Sequence, residues 1–377
     1  MKIGIVLDPN LKIPGGVQEH CRGLYDALKK LGQEVVIIAC GEKGEEDKER
    51  KVVSLGKIWE MKFLGRSSSL PLTWQNPLII KQFLAKENFD FLLFEGPGGI
   101  FSLEVLALSS TINVLVFHIF PEKIDFSYFA LPFFPFLRFL NRKFAGWIAV
   151  SPVAERYAQR FYPGEYEIIP NGVDLSRFTP KGEKLEEFVD GKINVLFVGR
   201  LDPRKGLMHL LKAFWQLKRR FANLRLLIVG DGPLRKKAER FVKEKNLEDV
   251  VFLGRVLAEK LPICYRTGDI FCAPSLYGES FGIVLLEAMA SSLPVVAFAN
   301  EGYKWVLRKK PFSDFLVEVG DVEGLVEKIG ALIKDKDLRK RLGEAGVREA
   351  RKYSWEEVGR RVLKFCQITE NKKQKSR

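Results

Sequence analysis

The sequence of 377 residues predicts an α/β protein made of two doubly wound parallel sheets. Three observations lead there. Short apolar runs alternate with segments of helical hydrophobic period from the first residues onward. Turns bearing glycine stand where several of those runs end. The alternation breaks once, near 170–190, where Gly172, Pro180 and Gly182 precede a charged stretch.

The elements follow in order. Lys2–Leu7 reads as a strand. Val17, Cys21, Leu24, Leu28 and Leu31 then recur at spacings of four, three, four and three, one face of a helix that Gly32 ends. Glu34–Ala39 is the next strand, which completes a βαβ unit. Further strands are expected at Phe91–Phe94, Val114–Phe117, Trp147–Val150 and Glu167–Ile169. The second half repeats the style, with strands at Ile193–Val198, Leu226–Val229, Val250–Phe252, Ile270–Ala273 and Val295–Phe298. Helices fall near 206–221, 232–246, 258–267 and 282–291. Asp321–Lys334, Leu338–Lys352 and Trp355–Phe365 read as closing helices, and Asn371–Arg377 as a frayed basic tail. The expected division is 1–172, an acceptor domain; 173–354, a nucleotide-binding domain; and 355–377, a helix crossing back to the first domain plus the tail. Ligands of such sheets bind beyond the carboxyl ends of the strands, here in a cleft between the two domains.

Composition removes several classes. Five cysteines, odd in number and without a C-x-x-C pair, support neither a disulfide framework nor a thiolate metal site. Three histidines make a multi-histidine metal centre a poor expectation, so no metal ligands are assigned. Met1–Leu7 runs straight into Asp8, unlike a signal peptide. The longest uncharged run, Val105–Pro121, carries Ser109, Ser110, Thr111, Asn113 and His118, unlike a membrane span. The net charge of +14 suggests an anionic partner. It is unevenly spread: residues 1–170 hold 20 basic and 19 acidic residues, and 171–377 hold 41 and 28. A nucleic-acid binder would explain the charge, but no finger or RNP-type string occurs. A nicotinamide dehydrogenase would want G-x-G-x-x-G after a strand, and that is missing.

Four strings carry chemistry. Pro14-Gly15-Gly16-Val17 opens the first helix. Its glycines would let a phosphate approach the backbone, and a plain tight turn needs the same residues. Gly199-Arg200-Leu201-Asp202-Pro203-Arg204-Lys205-Gly206 puts three cations at a strand's carboxyl end, suited to a diphosphate, or solvated as an ordinary loop. Gly230-Asp231-Gly232-Pro233 reads first as a turn. Glu279-Ser280-Phe281-Gly282-Ile283-Val284-Leu285-Leu286-Glu287 spaces two glutamates by eight, or about 12 Å along a helix. Glu279 could meet sugar hydroxyls and Glu287 a ribose, with the N–H groups of Phe281–Val284 on a diphosphate between them. Taken singly, Glu279 also fits simple helix-end electrostatics, and Glu287 a solvent-facing position. His118 closes an apolar strand and reads equally as structural or functional. His20, one turn into the first helix, reads as structural.

PGGVQ, FHIFPEK, AVSPVAERY, IIPNGVDLSRF, GRLDPRKG, IVGDGP and ESFGIVLLEAMA together resemble the retaining glycosyltransferases of family 4 (group 1), which have the GT-B fold. The likeness covers roughly Lys2–Lys364 and is similar above all to the family's phosphatidylinositol α-mannosyltransferases. It implies a hexosyltransferase that retains anomeric configuration, with two Rossmann-like domains and no metal-binding D-x-D motif. The donor it implies is a nucleotide sugar, GDP-mannose first, with UDP- or ADP-glucose and a soluble glucosyltransferase as the alternative. By motif, Gly15 and Gly16 approach the donor diphosphate, and Arg200 and Lys205 neutralise it. Glu279 holds the donor sugar, Glu287 the ribose, and Gly254-Arg255-Val256 frame the base. His118 stands near the reacting carbon, and Gln18, Arg66, His118 and Lys123 face the acceptor. The two family positions that read inositol phosphate fall by spacing on Leu64 and Ser69, with Arg66 between them as a substitute.

A membrane enters through the aromatics. Nine of the 29 phenylalanines lie between Phe117 and Phe144. Asp125–Arg138 (DFSYFALPFFPFLR) suits an interface with Arg138, Arg142 and Lys143 snorkelling, Leu70–Trp74 is a second such segment, and a buried loop is the competing reading. Pro132 and Pro135 forbid a regular helix through it. The expectation is a lipid acceptor, an anionic membrane surface as partner, no nucleic acid, and peripheral attachment at the cytoplasmic face.

Overall fold

A computed structural model describes residues 1–8, 15–40, 49–55, 76–96, 99–118 and 134–375. The described chain forms two compact units. One takes the chain through Gly172 and then from Trp355 onward; the other takes Val173–Ser354.

In the first unit, β1 (Lys2–Leu7), β2 (Glu34–Ala39), β3 (Val52–Ser54), β4 (Phe91–Glu95), β5 (Ile112–Phe117), β6 (Phe144–Ala149) and β7 (Tyr166–Ile168) form a parallel sheet. Their order is β3-β2-β1-β4-β5-β6-β7. β3 has only the residues VVS, too short for any period to mark it in the sequence. α1 (Gly16–Lys30) buries Cys21, Leu24 and Leu28 as its spacing predicts. It ends with Gly32 at φ +78, where Gly32 N–H donates to Lys29 O and Gln33 N–H to Leu28 O, each at 3.0 Å. α2 (Pro77–Glu87), α3 (Ile100–Leu108), α4 (Phe134–Asn141) and α5 (Pro152–Ala158) complete the described helices before Gly172. Asn76 and Ser151 cap α2 and α5 through their side-chain oxygens. Pro135 falls in the first turn of α4, where its missing N–H removes no helical bond, so a helix forms there despite the proline.

In the second unit, β8 (Ile193–Val198), β9 (Leu224–Val229), β10 (Val250–Gly254), β11 (Ile270–Ala273), β12 (Val295–Phe298) and β13 (Leu316–Val317) are parallel in the order β10-β9-β8-β11-β12-β13. α6 (Leu207–Lys218), α7 (Arg235–Glu244), α8 (Leu261–Thr267), α9 (Ile283–Ala290), α10 (Glu301–Val306), α11 (Val322–Lys334) and α12 (Lys336–Ala350) surround the sheet. Leu210, Leu211 and Phe214 of α6 and Leu325 and Ile329 of α11 bury fully against Val195, Leu226, Ile228 and Phe298. Each such side chain contributes about 1.5–3 kcal/mol.

α13 (Trp355–Lys375) belongs to the first unit. Val358, Val362 and Cys366 enter that core, and Gly359 lies so close to α1 that a Cβ would meet Ala27 at 3.0 Å. The helix continues through Lys375, which corrects the expectation of a frayed tail from Asn371 onward. Thr369 is buried, and Lys372, Lys373 and Lys375 sit in the last turn, where cations complement the negative helix end.

In each sheet the order reverses at its first strand. β1 lies between β2 and β4, and β8 between β9 and β11. Connections leave toward opposite faces at those points, which opens a crevice beyond the carboxyl ends of each strand pair.

Candidate active site

In the second unit the chain leaves β8 through Gly199 and Arg200. Asp202 heads a single 3-10 turn (Pro203–Lys205), its carboxylate accepting Lys205 N–H at 3.2 Å. Gly206 follows at φ +70, and a Cβ there would stand 1.8 Å from the Pro274 carbonyl oxygen. The loop is therefore pressed onto the end of β11, and Leu276 N–H donates to Arg204 O at 2.7 Å. This brings together residues 74 apart: Lys205 Nζ donates to Glu279 Oε1 at 2.6 Å. Arg204 Nη1 donates to Gly278 O at 2.7 Å and lies 3.5 Å from Glu279 Oε1. Glu279 is buried at 9% exposure. Arg200 is not drawn into this cluster. Its side chain is 72% exposed, with Nε 3.9 Å from Asp202 Oδ2.

The Glu279 loop leads into α9. Gly282 is the N-cap and makes no side-chain cap to the helix. Phe281 is buried with its ring 6.1 Å from that of Tyr353, which leaves only its backbone for a ligand. Ile283 and Val284 are half-buried at the helix start. Glu287, in the second turn, is half-buried rather than solvent-facing. Its Oε2 accepts Tyr265 O–H at 2.7 Å. Burial and the Glu287 charge push the Tyr265 phenol well above its ordinary pKa, so it stays a donor.

Gly254, Arg255 and Val256 follow β10. Gly254 O accepts Gly230 N–H at 2.8 Å, Arg255 is exposed and Val256 half-buried. Gly230, at φ +128, sits so close to β8 that a Cβ would meet Gly199 O at 2.0 Å. The turns after β8, β9 and β10 thus stack one on the next, which is the structural role read for Gly230-Asp231-Gly232-Pro233.

The crevice of the first unit is lined differently. Gly15 is the N-cap of α1 and Gly16 its first residue. A Cβ on Gly15 would meet Gln18 Oε1 at 2.5 Å, so the glycine makes room for that buried side chain. At the end of β1, the Asp8 carboxylate accepts Ser102 N–H at 2.8 Å and Gly99 N–H at 2.9 Å, tying β1 to the start of α3. His118 directly follows β5 and Glu95 ends β4. His118 Nε2 and Glu95 Oε2 are 2.5 Å apart. His20 comes in from α1, with Nε2 3.7 Å from the same oxygen and Nδ1 donating to Asn171 Oδ1 at 2.9 Å. The two imidazole rings stand 4.5 Å apart, and Trp355 closes over His20 at 5.2 Å. All three ionisable groups are buried. Burial lowers His20 to about 4 and His118 to about 3, and raises Glu95 to about 7.

Among the described residues this trio is the only set whose ligand atoms could surround a cation, all lying within 4.8 Å of one another. The 2.5 Å contact is that of a hydrogen bond, however. Two ligands of a tetrahedral zinc, each at about 2.0–2.1 Å, stand about 3.3 Å apart. The arrangement is a hydrogen-bonded pair with a neighbour, not a cation cage.

Arg66, Lys123, Leu64, Ser69, Pro14, Leu70–Trp74 and residues 125–133 of the aromatic segment lie outside the described residues. The sequence gives no role to three residues of the two crevices, Glu95, Asn171 and Tyr265, and counts Arg204 only as one of three loop cations. Glu95 had a usable signal, a carboxylate ending an apolar strand, the same placement that marked His118. In the sequence His20 reads as structural, because nothing in its helix shows what a strand 75 residues away brings beside it.

Two family models match the chain: Glycosyltransferase Family 4 over residues 14–177 and Glycosyl transferases group 1 over residues 181–349. A phosphatidyl-myo-inositol mannosyltransferase from Mycobacterium leprae is 32% identical over 369 residues, covering 97% of this chain and 96% of its own. Among solved structures, a sucrose-phosphate synthase from Thermosynechococcus elongatus aligns with TM-score 0.76 at 21% identity, covering 97% of this chain and 98% of that one. The Anabaena protein HepE, solved with UDP and glucose, aligns with TM-score 0.75 at 19% identity, covering 98% and 100%. With two Rossmann-like sheets of GT-B type and full-length similarity to sugar-transferring enzymes, the chain belongs to the group 1, family 4 glycosyltransferases.

Proposed function

We propose that the protein transfers a hexose, mannose from GDP-mannose in the first instance, to a membrane lipid of phosphoinositide type, with retention of anomeric configuration. The observation that carries the reading is the Lys205–Glu279 contact of 2.6 Å at the β8/β11 switch point. A cation suited to a diphosphate beside a carboxylate suited to sugar hydroxyls supports the reading. Arg200, exposed and unattached to Glu279, swings onto the outer phosphate oxygens, and the first-turn N–H groups of α9 meet the inner ones. Glu287, aligned by Tyr265, takes the ribose hydroxyls, and Gly254–Val256 frame the base. Gly15 and Gly16 approach the donor, while Gln18 and His118, with Arg66 and Lys123, face the acceptor and the reacting carbon.

In the transfer, the bond from the sugar's anomeric carbon to the phosphate oxygen breaks as the acceptor oxygen bonds to that carbon on the same face. The acceptor's proton passes to the departing phosphate. Lys205 and Arg200 stabilise the charge that develops there. No step uses a metal. The M. leprae relative's name supports the lipid acceptor and mannose. The membrane is the cytoplasmic face of the cell membrane in this reading, and peripheral attachment is supported by exposed apolar side chains on the first unit: Leu78 and Ile79 on α2, and Phe136 and Phe139 on α4. α3 lies beside both helices.

The test is a thermal-shift and hydrolysis screen of GDP-, UDP- and ADP-sugars, followed by mass spectrometry with phosphatidylinositol and other candidate lipids. GDP-mannose should stabilise the protein and label phosphatidylinositol. Preference for UDP- or ADP-glucose with a soluble acceptor would replace this reading with that of a glucosyltransferase.

A further inference from the structure

The trio at the first crevice poses a question of proton placement. His20 Nδ1 faces Asn171 Oδ1 at 2.9 Å, and an amide oxygen only accepts. The His20 proton therefore sits on Nδ1, and the bare Nε2 lone pair points at Glu95 Oε2, 3.7 Å away. Glu95 is 3% exposed. Its ionisable neighbours within 4.0 Å among the described residues are the two histidines; no lysine or arginine reaches it. Its other oxygen, Oε1, has no hydrogen-bond partner, and neither has His20 Nε2. An ionised carboxylate here would be buried, half unsatisfied and faced by a lone pair, all of which oppose the charge. A neutral carboxyl leaves only a carbonyl oxygen unpaired and can donate across the 2.5 Å contact to His118 Nε2. The burial-driven rise of Glu95 to about 7, with both histidines held neutral, has the same sign.

We infer that Glu95 works as a protonated carboxyl that donates to His118 Nε2, fixing His118 as the neutral Nδ1–H tautomer, so that the ring keeps a donor at Nδ1 and no free lone pair. His20, held by Asn171, is the second positioning residue: its Nε2 lone pair keeps the proton on Glu95. Glu95 and His20 act through His118 and touch no substrate. That His118 faces the transferred sugar rests on the proposed function; the proton placement does not. A donor at that position suits a hydroxyl or phosphate oxygen and gives a poor general base. This agrees with the leaving phosphate, and not His118, taking the acceptor's proton.

The chain holds only three histidines, so imidazole 15N spectra of the full-length protein are simple to read. Loss of one ring's signals in His118→Asn assigns it. At pH 6.0 the wild type should show His118 with a protonated Nδ1 and a bare Nε2. Glu95→Gln, whose amide can donate in the same direction, should keep that pattern and keep kcat within about fivefold, donor KM unchanged. Glu95→Ala should release His118 to Nε2–H or a mixture and lower kcat on the order of 100-fold with little change in donor KM. A His118 already Nε2–H in the wild type overturns the inference, and that measurement needs no variant to fold. So does a Glu95→Gln protein whose His118 switches tautomer. Failure of every nucleotide sugar to turn over, with the Nδ1–H pattern intact, would instead sink the transferase reading of His118.

Discussion

At the scale of the residue, the two crevices use charge in opposite ways. In the second unit, Lys205 and Glu279 form an ion pair at 2.6 Å. Glu279→Gln should keep the fold, with its melting temperature within about 2 °C of wild type. It should lose kcat on the order of 100-fold, because a hydrogen bond to a charged group is worth about 1.5–3 kcal/mol and Gln supplies no charge. Steady-state kinetics beside calorimetry would check both. In the first unit, burial keeps the groups neutral, and this has a pH signature. Unfolded, His20 and His118 take protons near pH 6.5; folded, they resist until about 4 and 3. Between those limits the unfolded chain binds more protons, so their contribution is complete above pH 6.5 and lost as pH falls through the window. Glu95, raised from 4.5 to about 7, has the opposite sign, its contribution being lost as pH rises across that range. Two histidines outweigh one carboxyl. Urea midpoints should therefore fall from pH 6.5 to 4.5 by more in the wild type than in His118→Asn.

At the scale of the element, the second crevice is shaped by loops held at van der Waals distance from neighbouring strands. Gly206 is the critical position. It combines φ +70 with a backbone oxygen 1.8 Å from where a Cβ would be, and that oxygen belongs to the end of β11. Backbone cannot swing aside as a side chain can. Gly206→Ala should lower stability by about 2 kcal/mol or more and separate Lys205 from Glu279, raising donor KM as well. Chemical denaturation and donor titration would show the two effects together. The same logic explains what the sequence could show of the elements. The strands at Lys2–Leu7, Glu34–Ala39, Ile193–Val198, Ile270–Ala273 and Val295–Phe298 appear where their apolar runs lie, because buried parallel strands need uninterrupted apolar residues. The three-residue β3 and two-residue β13 were illegible, since strands that short are defined by their neighbours. The proline-marked start of α4 and the basic end of α13 misled for one reason: a residue that disrupts a helix interior is harmless or favourable at the right end.

At the scale of the whole molecule, nearly all of the charge of +14 lies in residues 171–377, whereas Leu78, Ile79, Phe136 and Phe139 stand exposed on the nearly neutral first part. If the first unit docks on lipid through Phe136 and Phe139, attachment depends on apolar insertion more than on net charge. Phe136→Asp with Phe139→Asp should abolish flotation with anionic liposomes while donor hydrolysis in solution persists. Raising salt from about 0.1 to 0.5 M should weaken wild-type binding only a few-fold, because screening acts on exposed charges and not on buried apolar area. The sequence by itself determined the α/β class, the GT-B family and the strings that carry Arg200, Lys205, Glu279 and Glu287, because hydrophobic period and local turn chemistry are written along the chain. The tertiary structure alone decided which of these touch. Lys205 reaches Glu279 while Arg200 stays outside, Tyr265 holds Glu287, and His20, Glu95, His118 and Asn171 meet in one buried cluster. Such meetings arise where strand order reverses and brings the ends of strands distant in sequence side by side, and no spacing along the chain records that.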